Sequence, residues 1–337
     1  MPAHALPAPF LLFLGDAERL SDIKTAAGVL QWRTADCVGE WRLNAQATSL
    51  GLAQLQPAAA HAAGARALLI GVAPLGGRLP SSWLEPLASA ARAGLHLVNG
   101  LHDRLSDYPE LVGAARDGAV TLIDLRVPPQ ALPIGTGTPR SGNRVLTVGT
   151  DCAVGKKYTA LALTQALRDR GVDTDFCATG QTGIMIAERG IPLDAVPADF
   201  LSGAIEALSP AADPLHWDVI EGQGSLFHPS YAGVSLGLLH GAQPDALVLC
   251  HAAGRRELDD LPGFPIPPLA DCAALILAHA RLTNPQAQLA AVSLNTSDLD
   301  PEAAERELER AAQALGVPAF DPLKSDLTPV IDVLLEH

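Results

Sequence analysis

Residues 144–171 read "RVLTVGTDCAVGKKYTALALTQALRDRG". The run Val145–Val148 has the apolar density of a strand buried on both faces. A loop bounded by Gly149 and Gly155 follows, and then a segment with helical periodicity. Strand, glycine loop and helix in that order form a phosphate cradle. The glycines let backbone N–H groups converge, and the helix N-terminus adds partial positive charge. Lys156 supplies a mobile cation for a terminal phosphate, and Asp151 inside the loop could accept a proton or bind a substrate amine. The loop holds five residues between its glycines, one more than the commonest phosphate loop.

The departure is Lys157. Nucleotide hydrolases place a Ser or Thr hydroxyl there to ligate magnesium. An ammonium has no lone pair to offer and repels a divalent cation. Two readings follow: Lys157 is a second cation for an anionic group held without metal, or it points into solvent. Thr159 lies two positions on, turned to the side of the helix.

Outward from this loop, the alternation of strand and helix continues. Apolar runs at 174–179, 217–221, 245–250, 289–294 and 317–320 predict further strands, and 156–170, 268–281 and 301–315 predict helices. N-terminal to it, Phe10 to Leu14 and the runs within 65–77, 94–105 and 119–126 predict a second set of strands separated by helical stretches. The Pro- and Gly-rich segment 126–143 suits a domain crossing. The expected architecture is α/β, with two parallel-sheet three-layer domains. Residues 1–138 form a Rossmann-like N-terminal domain and 139–337 a P-loop NTPase-like C-terminal domain. No G-x-G-x-x-G follows the first strand, so a dinucleotide site has no support.

Composition narrows the function classes. The chain has 337 residues, 48% of them apolar, and a net charge of −14 from 23 basic and 37 acidic side chains. That balance argues against nucleic acid. No apolar stretch is long enough to span a membrane. Five dispersed cysteines argue against a disulfide framework or zinc site and suit the cytoplasm. No metal is expected.

Other residues at predicted strand ends carry candidate chemistry. In "EGQGSLFHPSY" (221–231), Glu221 could hold magnesium through water or act as a base, and His228 is a candidate general base. The segment 178–206 carries Gln181 and Thr182 in a turn expected beside the phosphate loop, with Asp199 and Glu206 as candidates for reading an amine. His251 and Arg255 end the strand 245–250, and the Arg255 fork suits a substrate carboxylate. Gly76, Gly77 and Arg78 form a candidate anion pocket, with His102, Asp103 and Arg104 as a polar cluster. "GQGSL" lacks the spacing of a serine-hydrolase elbow.

The loop and the Glu221 segment resemble the "GTDTxVGKT" and "EGAGG" segments of dethiobiotin synthetase, an ATP- and magnesium-dependent ligase. A broader resemblance covers nearly the whole chain. "LIGVAPLGGRLP", "GLHLVNGLHDRL", "VLTVGTDCAVGKK", "CATGQTGIMI" and "IEGQGSL" are similar to a two-domain family long catalogued as of unknown function, which includes bacterial D-glutamate N-acetyltransferases. That resemblance implies acetyl transfer from acetyl-CoA to the amine of a D-amino acid, most naturally D-glutamate, in amino-acid catabolism. It implies coenzyme contacts along Gly149, Thr150, Asp151, Cys152, Ala153, Val154, Gly155, Lys156, Lys157 and Tyr158. Asp151, Glu221 and His228 are the expected catalytic residues, and Gln181, Thr182, Arg255 and Arg78 the expected substrate contacts. A homo-oligomer acting on a small molecule is expected. The alternative is an ATP/Mg-dependent ligase or kinase of the dethiobiotin-synthetase type.

Overall fold

The structure is a computed structural model that describes residues 5–259 and 261–336. The chain divides into two compact units. One comprises 2–127 with 181–192, the other 128–180 with 193–337.

In the first unit, β1 (Phe10–Gly15), α1 (Lys24–Trp32), β2 (Cys37–Arg42), α2 (Pro57–Ala62), β3 (Ala67–Ile70), α3 (Leu84–Arg92), β4 (His96–Asn99), α4 (Pro109–Asp117) and β5 (Leu122–Asp124) alternate along the chain. The strands form a parallel sheet in the order β2-β1-β3-β4-β5. β1 and β3 are buried along their whole length because helices cover both faces of the sheet centre. Phe13 packs edge-on to Trp41 and Trp83, with ring centroids 5.4 and 5.2 Å apart. Strand β2 is the strand of this unit that the sequence did not predict. Its "CVGEWR" mixes glycine with two charges, yet Glu40 is fully buried. Its carboxylate accepts from Ser49 Oγ and Leu50 N and forms an ion pair with Arg42 at 3.0 Å, which offsets the cost of burying the charge.

The second unit begins with β6 (Asn143–Gly149), α5 (Lys156–Asp169) and β7 (Thr174–Cys177). Next comes α6 (Gln181–Ala187), which groups with the first unit. The chain then runs through α7 (Leu201–Leu208), β8 (Trp217–Ile220), α8 (Ala232–Ala242), β9 (Ala246–Ala252) and a small antiparallel hairpin of β10 (Glu257–Leu258) and β11 (Leu261–Pro265). It ends with α9 (Leu269–Ala280), β12 (Gln288–Asn295), α10 (Pro301–Leu315), β13 (Ala319–Phe320) and α11 (Thr328–Leu335).

Here the parallel sheet runs β13-β12-β9-β6-β8-β7. The phosphate-loop strand β6 is therefore interior, flanked by β9 and β8. Helix α10 begins where Pro301 presets the first turn and the Asp300 side chain accepts from Ala303 N. It ends at Gly316 in the left-handed conformation. The segment after residue 128 is drawn onto this unit. Glu206 accepts from Thr136 N and Gly137 N, and Arg140 donates to the carbonyls of Ser209 and Gly241. Glu206, considered above for reading an amine, is thus engaged in anchoring the linker. Burial opposes its ionisation, but these N–H bonds prevail and hold its carboxyl below the usual range. Asp199 is exposed in a short turn.

Candidate functional site

The second unit places the phosphate loop, Glu221, His251 and Arg255 at the C-terminal ends of the parallel strands, where α/β sheets bind ligands. β6 ends at Gly149, residues 150–154 curl, and Gly155 caps α5 with φ +98°. Ala153 also takes a positive φ, +52°, a strained choice for a residue with a side chain. A Cβ on Gly149 would lie 2.9 Å from both the Asp151 carbonyl and Lys156 Nζ, so only glycine lets the loop close. No acidic residue occupies the first turn of α5, which leaves the helix N-terminus electropositive.

Lys156 is 8% exposed and curls back to donate to the Asp151 carbonyl at 2.8 Å. Burial pushes its pKa below the ordinary lysine value, against the attraction of Cys152, Cys250, Asp151 and Glu221. Lys157 is half-buried, with Nζ 4.4 Å above the Tyr158 ring, and its charge acts on Glu221. This favours the second-cation reading over a solvent-directed chain. Thr159 cannot replace the missing hydroxyl. It is buried and bonded to Ser293 Oγ at 2.7 Å.

Glu221 follows β8 and is 3% exposed. Its Oε2 accepts from Thr179 N and Gly180 N at 3.0 and 3.1 Å, tying the turn after β7 to the turn after β8. Burial raises its pKa; those two N–H groups and the two lysines oppose the shift without cancelling it. Gly222 passes so close to β6 that a Cβ would lie 1.8 Å from the Thr147 carbonyl.

Two sequence candidates are used on one another. Asp151 accepts from Cys152 N, from Asp259 N at 2.9 Å and from Arg255 at 2.9 Å. Arg255 makes this bond, and another to the Cys152 carbonyl, through one terminal nitrogen, so the pair joins the phosphate loop to the loop after β9. Thr150 reinforces that joint, since its Oγ1 lies 2.8 Å from His251 Nδ1.

His228 reaches the same place. One of its ring nitrogens, an Asp151 oxygen and Cys152 Sγ lie within 4.8 Å of one another. The ring is 3% exposed. Its Nδ1 accepts from Ser230 N, which puts the neutral ring's proton on Nε2, and Nε2 is buried with no hydrogen-bond partner among the described residues. These three side chains could ligate a soft or borderline metal by donor type. The Arg255 and Lys156 cations beside them work against that.

Gln181, Thr182 and Arg78 lie in the first unit. Thr182 Oγ1 is 3.2 Å from Thr25 Oγ1, and Gln181 crowds Gly100. Helix α6 packs on α1 because Arg33 bonds the Met185 carbonyl and Glu188. Arg78 is 84% exposed and 4.0 Å from Asp103, which itself accepts from Leu79 N and Tyr108 Oη. His102 pairs with Arg126. Gln223 was missed in the sequence. Its Nε2 donates to Thr179 Oγ1 at 3.1 Å, joining the turns at Glu221, and no sequence signal marked it beyond the flanking glycines.

Residues 36–128 match the family description "Domain of unknown function (DUF1611_N) Rossmann-like domain", and residues 133–331 match "Domain of unknown function (DUF1611_C) P-loop domain". Two curated relatives carry the name D-glutamate N-acetyltransferase. The one from a Pseudoalteromonas species is 46% identical over 96% of this chain and 97% of its own length. The one from Tritonibacter scottomollicae is 44% identical over 98% of this chain and 99% of its own. The crystal structure of a DUF1611 family protein from Anabaena variabilis superposes with a TM-score of 0.89 at 32% identity, covering 98% of this chain and 100% of that one. Among the described residues, no helix is long and apolar enough to cross a membrane.

Proposed function

This chain belongs to the DUF1611 family, and on that premise we propose that it transfers an acetyl group from acetyl-CoA to the amine of D-glutamate, as an N-acetyltransferase of D-amino acid breakdown. The names of the two curated relatives support the reaction. The observation that carries the choice of carrier is Lys157, half-buried over Tyr158 and acting on Glu221 where a magnesium-dependent enzyme keeps a hydroxyl. A diphosphate neutralised by two ammonium groups and a helix N-terminus suits that cradle, and acetyl-CoA carries one. Bound there, acetyl-CoA supplies an activated thioester.

The chain's own groups divide the remaining work. Backbone N–H groups of the loop between Gly149 and Gly155, with Lys156 and Lys157, hold the anion. The amine must lose a proton before it can attack a thioester. Glu221 is the group to take it, since burial raises its proton affinity; as the C–N bond forms the thioester C–S bond breaks, and that proton passes to the departing sulfur so that coenzyme A leaves as a thiol. His228 is suited to the opposite task. Its Nε2–H is a buried donor that can meet the negative charge developing on a carbonyl oxygen. Asp151, held by three donors, positions Arg255 and the loop.

The test is thiol release from acetyl-CoA with and without D-glutamate, alongside ADP release from ATP with and without magnesium. Release of coenzyme A that depends on D-glutamate is expected. Magnesium-dependent ADP formation in its place would return the protein to the ligase class. Glu221→Gln should lower kcat by about 10²-fold or more while acetyl-CoA still binds.

A further inference from the structure

A cavity of about 500 Å³ borders the phosphate loop in the second unit. Two bonds fix it there: Thr150 to His251 and Asp151 to Arg255. Its walls differ in chemistry. Ile266, Pro268 and Leu269, where the chain enters α9, make an apolar wall. Arg255, Arg256 and Arg310 make a cationic one. Three carboxylates meet that charge: Asp151 at 2.9 Å and Asp259 at 3.7 Å on Arg255, and Glu307, which lines the cavity, on Arg310 at 2.8 Å. Asp151 and Asp259 both fall on Arg255, so Arg256 has no carboxylate partner among the described residues. Arg256 is exposed, and Arg310, 70% exposed, engages Glu307 through one terminal nitrogen. Burial lowers the His251 pKa, so its imidazole serves as a neutral link to Thr150.

A nucleoside joined to a diphosphate on the loop must lie within a few ångströms of that diphosphate. This cavity has a volume in the range that holds a nucleotide-sized ligand. We propose that it receives the 3′-phosphoadenosine end of coenzyme A, with the base against Ile266, Pro268 and Leu269 and the 3′-phosphate on Arg256 and Arg310. A planar guanidinium fork matches a phosphate with two parallel N–H bonds. This inference rests on the acetyl-CoA reading and deepens it. The cavity becomes the place where the enzyme tells coenzyme A from ATP, which lacks a phosphate at that position.

The experiment measures kcat/KM of the full chain for acetyl-CoA and for 3′-dephospho-acetyl-CoA, each with D-glutamate. It is repeated on Arg256→Ala, Arg310→Ala, the double variant and the two Lys replacements, with thermal melts as a folding control. The wild type should prefer acetyl-CoA by about tenfold or more. The double variant should lose that preference by using acetyl-CoA less well, with its use of the dephospho compound and its KM for D-glutamate unchanged. Lysine replacements should restore part of the preference. Equal use of both thioesters by the wild type, or equal losses on both in the variants, would overturn the assignment and leave acetyl transfer standing. A raised KM for D-glutamate in the variants would also overturn it, giving the cavity to the amino-acid carboxylates. Turnover of neither thioester would remove the acetyl-CoA reading itself, and this inference with it.

Discussion

Replacing Lys156 by methionine tests the anion cradle directly. The side chain is 8% exposed, and its Nζ donates to the Asp151 carbonyl at 2.8 Å. In the free protein this ammonium is a buried charge whose pKa burial pushes down, so much of its desolvation cost is already met before a ligand arrives. An incoming diphosphate then gains a charge-assisted bond at little further cost. Such a bond contributes about 1.5–3 kcal/mol, which is about 10- to 150-fold in Kd. Methionine keeps most of the apolar stem and removes the buried charge, which offsets the loss of the donor to the Asp151 carbonyl, so the fold should lose little stability. Calorimetric titration of acetyl-CoA into wild type and Lys156→Met, with thermal melts of both, reads the two quantities separately. The expected result is a Kd weaker by one to two decades at a nearly unchanged Tm. A folded variant binding acetyl-CoA as tightly as the wild type would show that the loop does not hold the carrier's phosphates, and the cradle argument would fail.

Further expectations concern the rest of the second unit. Lys157→Thr restores the magnesium hydroxyl, so ATP binding measured by calorimetry should become magnesium-dependent while acetyl-CoA binding weakens by about tenfold. Gly222→Ala places a Cβ 1.8 Å from the Thr147 carbonyl, where the turn cannot move off β6 without losing the bond from Gly222 N to Thr147 Oγ1. A loss of about 3 kcal/mol or more in urea unfolding is expected, and near-zero change would mean the turn is free to shift. His216, at the opposite end of the sheet, bonds Asp173 at 2.8 Å and Asp218 at 3.3 Å. Burial works against protonation there, but the two aspartates prevail and its pKa is raised. A raised folded pKa means this stabilisation is fully present below the unfolded value of about 6.5 and is lost as pH rises through the folded value. The urea midpoint should therefore fall over that interval in the wild type and stay flatter in His216→Asn.

The alternation of apolar runs with helical stretches was enough to place most of the two sheets. The strands predicted at 144–148 and 289–294 appear at Asn143–Gly149 and Gln288–Asn295, and the helix at 301–315 runs from Pro301 to Leu315. Buried parallel strands must be apolar on both faces, and that pattern survives in one dimension. Strand β2 did not read this way because its Glu40 is satisfied by Ser49 and Leu50, partners chosen by the fold. The phosphate loop was legible for a similar reason. A tight curl ahead of a helix is a local demand on φ and on N–H direction, so Gly149, Gly155 and Lys156 announce it by spacing alone.

Which partners the residues at strand ends meet was decided only in three dimensions. Sequence placed Asp151, Arg255 and His228 as separate candidates for base, carboxylate reader and base. Folding pairs the first two at 2.9 Å and turns the third into a buried Nε2–H donor beside Cys152. It also moves Gln181 and Thr182, only two positions beyond Thr179 and Gly180, into the other compact unit. The physical reason is the range of the forces involved. Backbone geometry and hydrophobic period are written between near neighbours. Hydrogen-bond partners, burial and the proton affinities they set come largely from groups far apart in sequence, 42 residues for Glu221 and Thr179 and 104 for Asp151 and Arg255, which only the folded chain brings together.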